Sequence, residues 1–331
     1  MVVALFLFPL LNAQDSKKEN DQGIHALAAN DLLTAVHHFE AAARADPSNA
    51  EIQFNLGLAL VRAGRLKEAV APLETARRDA SLSAEARYLL GVAYFRLAAH
   101  DKVLNELPGL ETGARAEHVL YMMEESARLL GRNEQARDAF RQMNRRFPDS
   151  PWLHLLMAAA YENQSQPEKA LEEYQAALSR DAKLPNAHFA IGYLYWQQQK
   201  TERAMPNFEK ELAITPCHAL AHYYLGEIAR ADTKLDQAAG HYRNAIQCDP
   251  ESLNPHLRLG MVLAELKQDA EALKELQRAV KIDPDNSAAH YRLALLHRRM
   301  GSEKESQAEY EKVRSLAARS DGKTIGAGSV P

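Results

Sequence analysis

A period of 34 residues runs through most of this 331-residue chain and restricts its possible folds more than any other feature. Four similar segments start 34 residues apart, and they read AHFAIG from 187, AHYYLG from 221, PHLRLG from 255 and AHYRLA from 289. Self-similarity at such a period is typical of arrays in which each repeat packs only against its neighbours. We therefore expect one long array, although the length alone would also allow two or three globular domains.

Four positions of the period recur in phase. A small residue is followed after twelve positions mostly by Ala, and after four more by a large side chain. The small residues are Gly23, Gly57, Gly91, Ala158, Gly192, Gly226, Gly260 and Ala294, with Glu124 as the exception. The large residues are Phe39, Leu73, Leu107, Phe140, Tyr174, Phe208, Tyr242, Leu276 and Tyr310. Many repeats close on proline, at Pro47, Pro148, Pro216, Pro250 and Pro284. This pattern predicts two antiparallel helices in close contact, a large side chain filling the gap between hairpins, and proline ending the second helix.

The pattern resembles the tetratricopeptide repeat, and the resemblance covers about residues 16–318, or nine repeats. It implies an all-α fold, a right-handed α-solenoid (superhelix) of stacked antiparallel helix hairpins. The composition agrees with an all-α fold. Ala and Leu, which favour helices, are abundant, and Val and Ile, which favour strands, are scarce. We place repeats 1–3 in 16–116, repeats 4–9 in 117–318 and a flexible tail in 319–331.

The third repeat departs from the pattern. Its second helix is followed by Pro108, Gly109 and Gly113, which predicts a short helix, a loop near 108–115 and a changed superhelix path. A decayed repeat without functional meaning is the alternative. Elsewhere, Gly64, Gly131 and Gly301 fall between the two helices of their repeats, where a left-handed residue is useful.

Residues 1–14 are predicted to form a signal peptide, with an apolar run from Val2 to Leu11. That run is too short to span a membrane, so no stable membrane span is expected. No Lys or Arg precedes it. We expect an exported protein, periplasmic or secreted; a cytoplasmic protein with an apolar N-terminus is the alternative.

Charge and motifs argue against several functions. A net charge of -4 does not suit a general nucleic-acid binder. No phosphate loop, zinc-protease motif, nucleophile elbow or catalytic carboxylate pair is evident, so we expect no enzyme, no catalytic residue, no metal and no cofactor. A ladder of histidines is interpreted as packing between helices, because zinc ligands must converge on one point. Its members are His154, His188, His222, His256 and His290.

Two cysteines, Cys217 and Cys248, fall at the same end of one predicted hairpin. In an oxidising compartment they would be able to form a disulfide. The alternative is a pair of unbonded small apolar side chains.

The resemblance implies that the first helix of each repeat lines an inner groove. There, Phe189, Tyr193 and Trp196 share one helical face, and neighbouring repeats and basic positions complete a candidate binding surface. The added residues are Trp152, Tyr223, Glu227, Arg230, Arg258 and Arg292. The alternative is that Trp196 only packs against the next hairpin.

These features predict a non-enzymatic protein–protein interaction scaffold that binds a peptide or protein segment in its concave groove. A structural or assembly factor of an envelope secretion or pilus-type complex is one alternative, and a regulatory array of a separately encoded enzyme is another. The sequence leaves the partner's identity and the oligomeric state open.

Overall fold

Helix hairpins build the entire described part of the chain. The computed structural model describes residues 4–326, with side chains from Gln14 to Arg319, and this part contains 18 helices and no strand. The first three residues of the predicted leader and the last five of the predicted tail lie outside it. The chain divides into two compact segments, an N-terminal segment ending at Ala182 and a C-terminal segment starting at Lys183.

The N-terminal segment contains five hairpins, α1–α2 to α9–α10, and each pair of consecutive helices packs together. Its helices are α1 Ala4–Ala28, α2 Leu32–Ala45, α3 Ala50–Arg62, α4 Leu66–Ala76, α5 Ser83–Arg96, α6 His100–Glu106, α7 Ala116–Leu129, α8 Asn133–Arg146, α9 Pro151–Asn163 and α10 Pro167–Arg180. The predicted leader contributes to α1, and the prediction that it is a cleaved signal peptide stays a prediction.

The C-terminal segment contains four hairpins built in the same way, α11–α12 to α17–α18. Its helices are α11 Ala187–Gln197, α12 Thr201–Ile214, α13 Ala219–Ala231, α14 Leu235–Cys248, α15 Leu253–Glu265, α16 Asp269–Ile282, α17 Ser287–Arg299 and α18 Glu303–Gly326. Within each segment the second helix of a hairpin also packs against the first helix of the next. The predicted all-α solenoid class of about nine repeats is therefore confirmed.

The recurring small residue and the recurring large side chain meet inside each hairpin. A Cβ atom on Gly226 would lie 2.6 Å from Cε1 of Tyr242, and one on Gly57 would lie 2.5 Å from Cδ2 of Leu73. Both distances are shorter than carbon atoms tolerate. Glycine is thus required because the large side chain occupies the space of a Cβ.

Each hairpin turns through one residue in the left-handed conformation, as predicted for Gly64, Gly131 and Gly301, which have φ of 78°, 69° and 78°. The other turns use non-glycine residues with positive φ at the same place in the period. They are Asn30, Ala98, Ser165, Gln199, Thr233 and Lys267. The five repeat-closing prolines follow the ends of α2, α8, α12, α14 and α16, as predicted.

The third hairpin is shortened as expected. Its second helix α6 has only seven residues, and residues 107–115 form turns that include Gly109 with φ of 91°. The division of the repeats at 116/117 and the changed superhelix path stay predictions.

Candidate functional site

The predicted groove residues lie on the first helices of their hairpins. Trp152 is on α9 of the N-terminal segment, and all the others are in the C-terminal segment. Phe189, Tyr193 and Trp196 are on α11, Tyr223, Glu227 and Arg230 on α13, Arg258 on α15 and Arg292 on α17.

Four rings of the C-terminal segment form an aromatic cluster, which consists of Phe189, Tyr193, Trp196 and Tyr224. The rings of Phe189 and Tyr193 lie 6.1 Å apart and within 10° of parallel. Those of Tyr193 and Trp196 lie 6.1 Å apart at 14°. Tyr224 of α13 packs against this face, with its ring 5.3 Å from Tyr193 and 4.8 Å from Trp196. The shared face predicted for α11 is confirmed.

All four rings of the aromatic cluster are half-buried, so each presents part of its surface to solvent. Beneath them lie fully or nearly buried side chains, Phe208, Leu225 and Ile228. Large amphipathic rings with a supported base and an accessible edge are typical of residues that dominate binding at interfaces. Trp196 packs against the next hairpin through Tyr224 and remains half-buried, so its role in binding a partner stays a prediction.

The position of Phe189 is fixed by a buried carboxylate. Glu211 of α12 is fully buried and accepts hydrogen bonds from the backbone N–H groups of Asn186, at 2.9 Å, and of Phe189, at 3.3 Å. A carboxylate at a helix start satisfies free N–H groups and interacts favourably with the helix dipole. Glu211 therefore holds the first turn of α11 in place.

His218, the residue before α13, makes the matching contact. Its Nδ1 accepts a hydrogen bond of 3.1 Å from the backbone N–H of Ala221, so Nε2 carries the proton and donates to Asn186 Oδ1 at 3.1 Å. The imidazole lies 4.6 Å from the ring of Phe189. Burial lowers the pKa of His218, which keeps this imidazole neutral against the aromatic cluster.

A second group of side chains, the Glu227 network, lies on α13, α14 and α15 and consists of Glu227, Arg230, Tyr242 and Arg258. The Tyr242 hydroxyl donates a hydrogen bond of 2.5 Å to Glu227 Oε1, which also lies 3.2 Å from Arg258 Nε. Arg230 Nη2 lies 3.4 Å from Glu227 Oε2. Two guanidinium groups thus face one carboxylate, and Arg230 Nε is buried without a hydrogen-bond partner.

Tyr223 joins the aromatic cluster to the Glu227 network. Its ring lies 5.2 Å from that of Tyr224 and 6.0 Å from that of Tyr242. The structure thus brings seven of the nine predicted residues into one continuous surface on α11, α13 and α15.

The two remaining predicted residues lie elsewhere. Trp152 stacks on His118 and Tyr121 of the N-terminal segment, with ring separations of 4.3 Å and 4.9 Å. Arg292 is exposed and borders a cavity of about 280 Å³ with Arg299, which forms an ion pair with Asp269.

The two cysteines form a disulfide next to His218. Cys217 precedes α13 and Cys248 ends α14, and their Cα atoms lie 5.3 Å apart. The bridge ties the start of α13 to the end of its hairpin partner. Of the two alternatives left open by the sequence, the bonded pair is the one in the structure.

The histidine ladder is a set of contacts between helices, as predicted. His256 Nδ1 lies 2.6 Å from Glu275 Oε2 on the second helix of its hairpin, and Nε2 lies 3.1 Å from the Pro250 carbonyl oxygen. His290 repeats both contacts with Glu309 and Pro284, and His154 pairs with Glu173. Within residues 4–326, no group of three His, Cys, Asp or Glu side chains is placed to hold a metal ion.

Sequence reasoning missed three residues of this surface: Tyr224, His218 and Glu211. Tyr224 carries a usable signal, because Arg258 and Arg292 follow it at steps of 34 and so occupy the same place in the period. His218 and Glu211 have no such signal, because their roles depend on where the ends of α11 and α13 meet.

Family models of the tetratricopeptide repeat match most of the chain. One matches residues 20–80 and 189–252, a second matches 118–150, a third 287–319, and a model of the TPR repeat matches 163–199 and 262–301. No sequence among the curated proteins matches the chain.

Several solved structures are similar to part of this chain. PilF of Pseudomonas aeruginosa is 17% identical and superposes with a TM-score of 0.54 over 61% of this chain and 92% of its own. MamA of Desulfovibrio magneticus is 21% identical, with a TM-score of 0.48 over 52% of this chain and 98% of its own. YrrB, described as a TPR protein with an unusual peptide-binding site, is 20% identical, with a TM-score of 0.47 over 54% of this chain and 92% of its own.

In the described part of this chain, no helix is both long and apolar enough to cross a membrane.

Proposed function

Because the chain belongs to the tetratricopeptide repeat family, whose repeats form scaffolds for protein–protein interaction, we propose that its C-terminal segment holds a peptide segment of a partner protein. The observation that carries this proposal is the aromatic cluster. Four half-buried rings on α11 and α13 rest on a packed base and keep accessible edges. Burial of such rings by a partner supplies much of the binding free energy in known interfaces.

The Glu227 network indicates which charge the partner segment carries. Two partly exposed guanidinium groups, those of Arg230 and Arg258, share the single carboxylate of Glu227. A carboxylate is the group that a partly exposed guanidinium binds best. The segment we propose therefore carries a bulky apolar side chain for the aromatic cluster and an acidic residue or C-terminal carboxylate for Arg230.

The mechanism is recognition without bond chemistry. Shape and charge select the partner, and no catalytic step is assigned to any residue. Two other functions would use the same scaffold. One is an assembly factor that uses the outer helices, and the other is a regulatory array beside a separate enzyme. Site-specific crosslinking distinguishes contact in the groove from contact on the outer helices.

Export is part of the proposal. The apolar leader in residues 1–14 and the Cys217–Cys248 disulfide both support it, because disulfides persist in oxidising compartments and are rare in the cytosol. We expect a periplasmic or secreted protein. N-terminal sequencing of the native protein tests this, and a retained Met1 with free thiols would contradict it.

Site-specific photo-crosslinking of the full chain tests the groove. A photoreactive phenylalanine analogue at Tyr193 should crosslink a partner segment, whereas one at the exposed Lys210 of the second helix α12 should not. Crosslinks from Lys210 alone would contradict the groove and favour the assembly factor.

Matched variants test the two anchors with the crosslinked segment as a synthetic peptide. Trp196→Ala is expected to raise Kd by about tenfold or more, because it removes the largest ring of the aromatic cluster. Leu33→Ala is the control, since Leu33 is 79% exposed on α2 of the N-terminal segment. Arg230→Gln should weaken binding of an acidic peptide, and Arg243→Gln on α14 should not. Equal affinity for all four variants would overturn the proposal.

A further inference from the structure

The fourth hairpin breaks the rule that a small residue faces the large side chain. At this place α7 carries Glu124, sixteen residues before Phe140 of α8. In the glycine hairpins the large side chain fills the space a Cβ would need, for example 2.8 Å between a Cβ on Gly192 and Phe208 Cε1. Glu124 and a fully inserted Phe140 therefore cannot share this space.

Phe140 is less buried than its equivalents in the glycine hairpins. It is half-buried, whereas the equivalent side chains Phe39, Phe208 and Tyr242 are fully buried. Between α7 and α8 the structure has a cavity of about 590 Å³, which both Glu124 and Phe140 line. The hairpin that carries Glu124 in place of a small residue therefore also has an open cavity on its surface.

The carboxyl group of Glu124 is the unsatisfied group of this cavity. Glu124 is only 8% exposed, and its Oε2 is buried without a hydrogen-bond partner. Burial raises the pKa of Glu124 to about 7, the neighbouring Glu125 raises it further, and Arg128 opposes the shift in part. A buried carboxylate without a partner is unfavourable, and an opposite charge in contact with it would stabilise it.

The arginines at this cavity already have partners of their own. Arg128 lies 2.5 Å from Glu125, Arg137 lies 3.7 Å from Glu134 and Arg141 lies 2.7 Å from Asp138. All three are substantially exposed, so these ion pairs form an electrically balanced rim. The apolar wall is supplied by Phe140 and Ala136.

We propose that this cavity binds a primary ammonium group on an aliphatic stem, such as a lysine side chain of a partner protein. The ammonium contacts the Glu124 carboxylate, and the stem lies against Phe140 and Ala136. A compact ammonium with three donors on a flexible chain suits a single carboxyl group at the end of an apolar cleft. This site is independent of the aromatic cluster and of the function proposed for it.

Methionine-methyl NMR of the full chain, titrated with n-pentylammonium at pH 8, tests the proposal. Met123 adjoins Glu124 in the chain and Met143 follows Phe140 on α8, so their methyl signals report on changes in this hairpin. We expect saturable shifts of these signals with pentylammonium and none with pentanoate, which has the same stem and the opposite charge. Saturable binding of pentanoate, or no saturable shift with pentylammonium, would overturn the proposal.

Two variants on the same helix sharpen the test. Glu124→Gln keeps the shape and removes the charge, and we expect at least a tenfold loss of pentylammonium affinity. Glu117→Gln makes the same change at the first turn of α7, away from the cavity, and should bind as the native chain does. Equal binding by both variants would show that the ammonium goes elsewhere.

Discussion

Cys217 and Cys248 join the start of α13 to the end of α14 through a disulfide, with their Cα atoms 5.3 Å apart. The bridge lies beside His218, whose ring packs against Phe189 at 4.6 Å. One covalent bond thus supports both the hairpin and the edge of the aromatic cluster.

Replacing both cysteines by serine should lower the free energy of unfolding of the C-terminal segment by roughly 3–4 kcal/mol, because a closed loop of this length restricts the unfolded chain. Denaturant unfolding followed by circular dichroism measures the change. Reductant should produce a similar loss in the native chain and no further loss in the double variant. Titratable thiols in the native, unreduced protein would contradict the bridge.

Two glycines of the same hairpin should respond in opposite ways to alanine. Gly226→Ala places a Cβ 2.6 Å from Tyr242 Cε1 and should destabilise by about 1–3 kcal/mol. Gly240→Ala on α14 meets no atom within 4 Å and should stabilise by about 0.5–1 kcal/mol through helix propensity. Thermal unfolding of the two variants side by side checks the contrast, and equal Tm values would argue against the close packing of α13 on α14.

The left-handed turn residues supply a second matched pair. Gly301→Ala forces a Cβ onto a residue with φ of 78° and should cost about 1 kcal/mol. Lys267 already has a Cβ at φ of 61°, so Lys267→Ala should change stability by less than about 0.5 kcal/mol. Denaturant unfolding measures both changes in stability, and similar losses at the two positions would contradict the assigned turn geometry.

The buried Glu124 should make stability fall as pH rises. Its pKa is raised from 4.5 to about 7, so the folded state holds the proton more tightly than the unfolded state does. Its stabilising contribution is complete below pH 4.5 and is lost as pH rises through about 7. Glu124→Gln should therefore be more stable than the native chain at pH 8, on the order of 2 kcal/mol.

Comparison of the two proteins at pH 5 and pH 8 gives the measurement for Glu124. The advantage of Glu124→Gln should shrink at the lower pH, where the native carboxyl is protonated. An advantage that does not change with pH would show that Glu124 is ionised throughout.

His118, on the same helix α7, should make stability fall as pH falls. Burial lowers its pKa from 6.5 to about 4, and Arg115 adds to the shift. The folded state therefore favours the neutral ring, whose contribution is complete above pH 6.5 and is lost as pH falls through about 4. NMR titration should find His118 neutral at pH 5.5, with His118→Gln used to assign the signal. A midpoint near 6.5 would contradict its burial between Tyr88 and Trp152.

Local patterns in the sequence were sufficient wherever the physical cause is itself local. Proline ends a helix through its own ring, so the repeat ends at Pro216 and Pro250 were predictable. Three rings at i, i+4 and i+7 share a helix face, so the alignment of Phe189, Tyr193 and Trp196 was predictable too.

Contacts between hairpins were harder to predict, because they depend on how each helix is rotated against its neighbour. Arg258 was expected as a basic groove residue, and that role stays a prediction. The structure pairs it with Glu227 in a shared network, which the sequence did not indicate. Glu124 was recognised as an exception to the pattern. The cavity that Glu124 and the half-buried Phe140 line is visible only in the structure.

The sequence by itself determined the repeat, the helix ends marked by proline and the left-handed turns at glycine, because each depends on residues close together in the chain. Only the tertiary structure decided which rings meet, that Cys217 bonds to Cys248, and which carboxyl group is left without a partner. These outcomes depend on distances between side chains of different helices, and such distances are set when the hairpins pack.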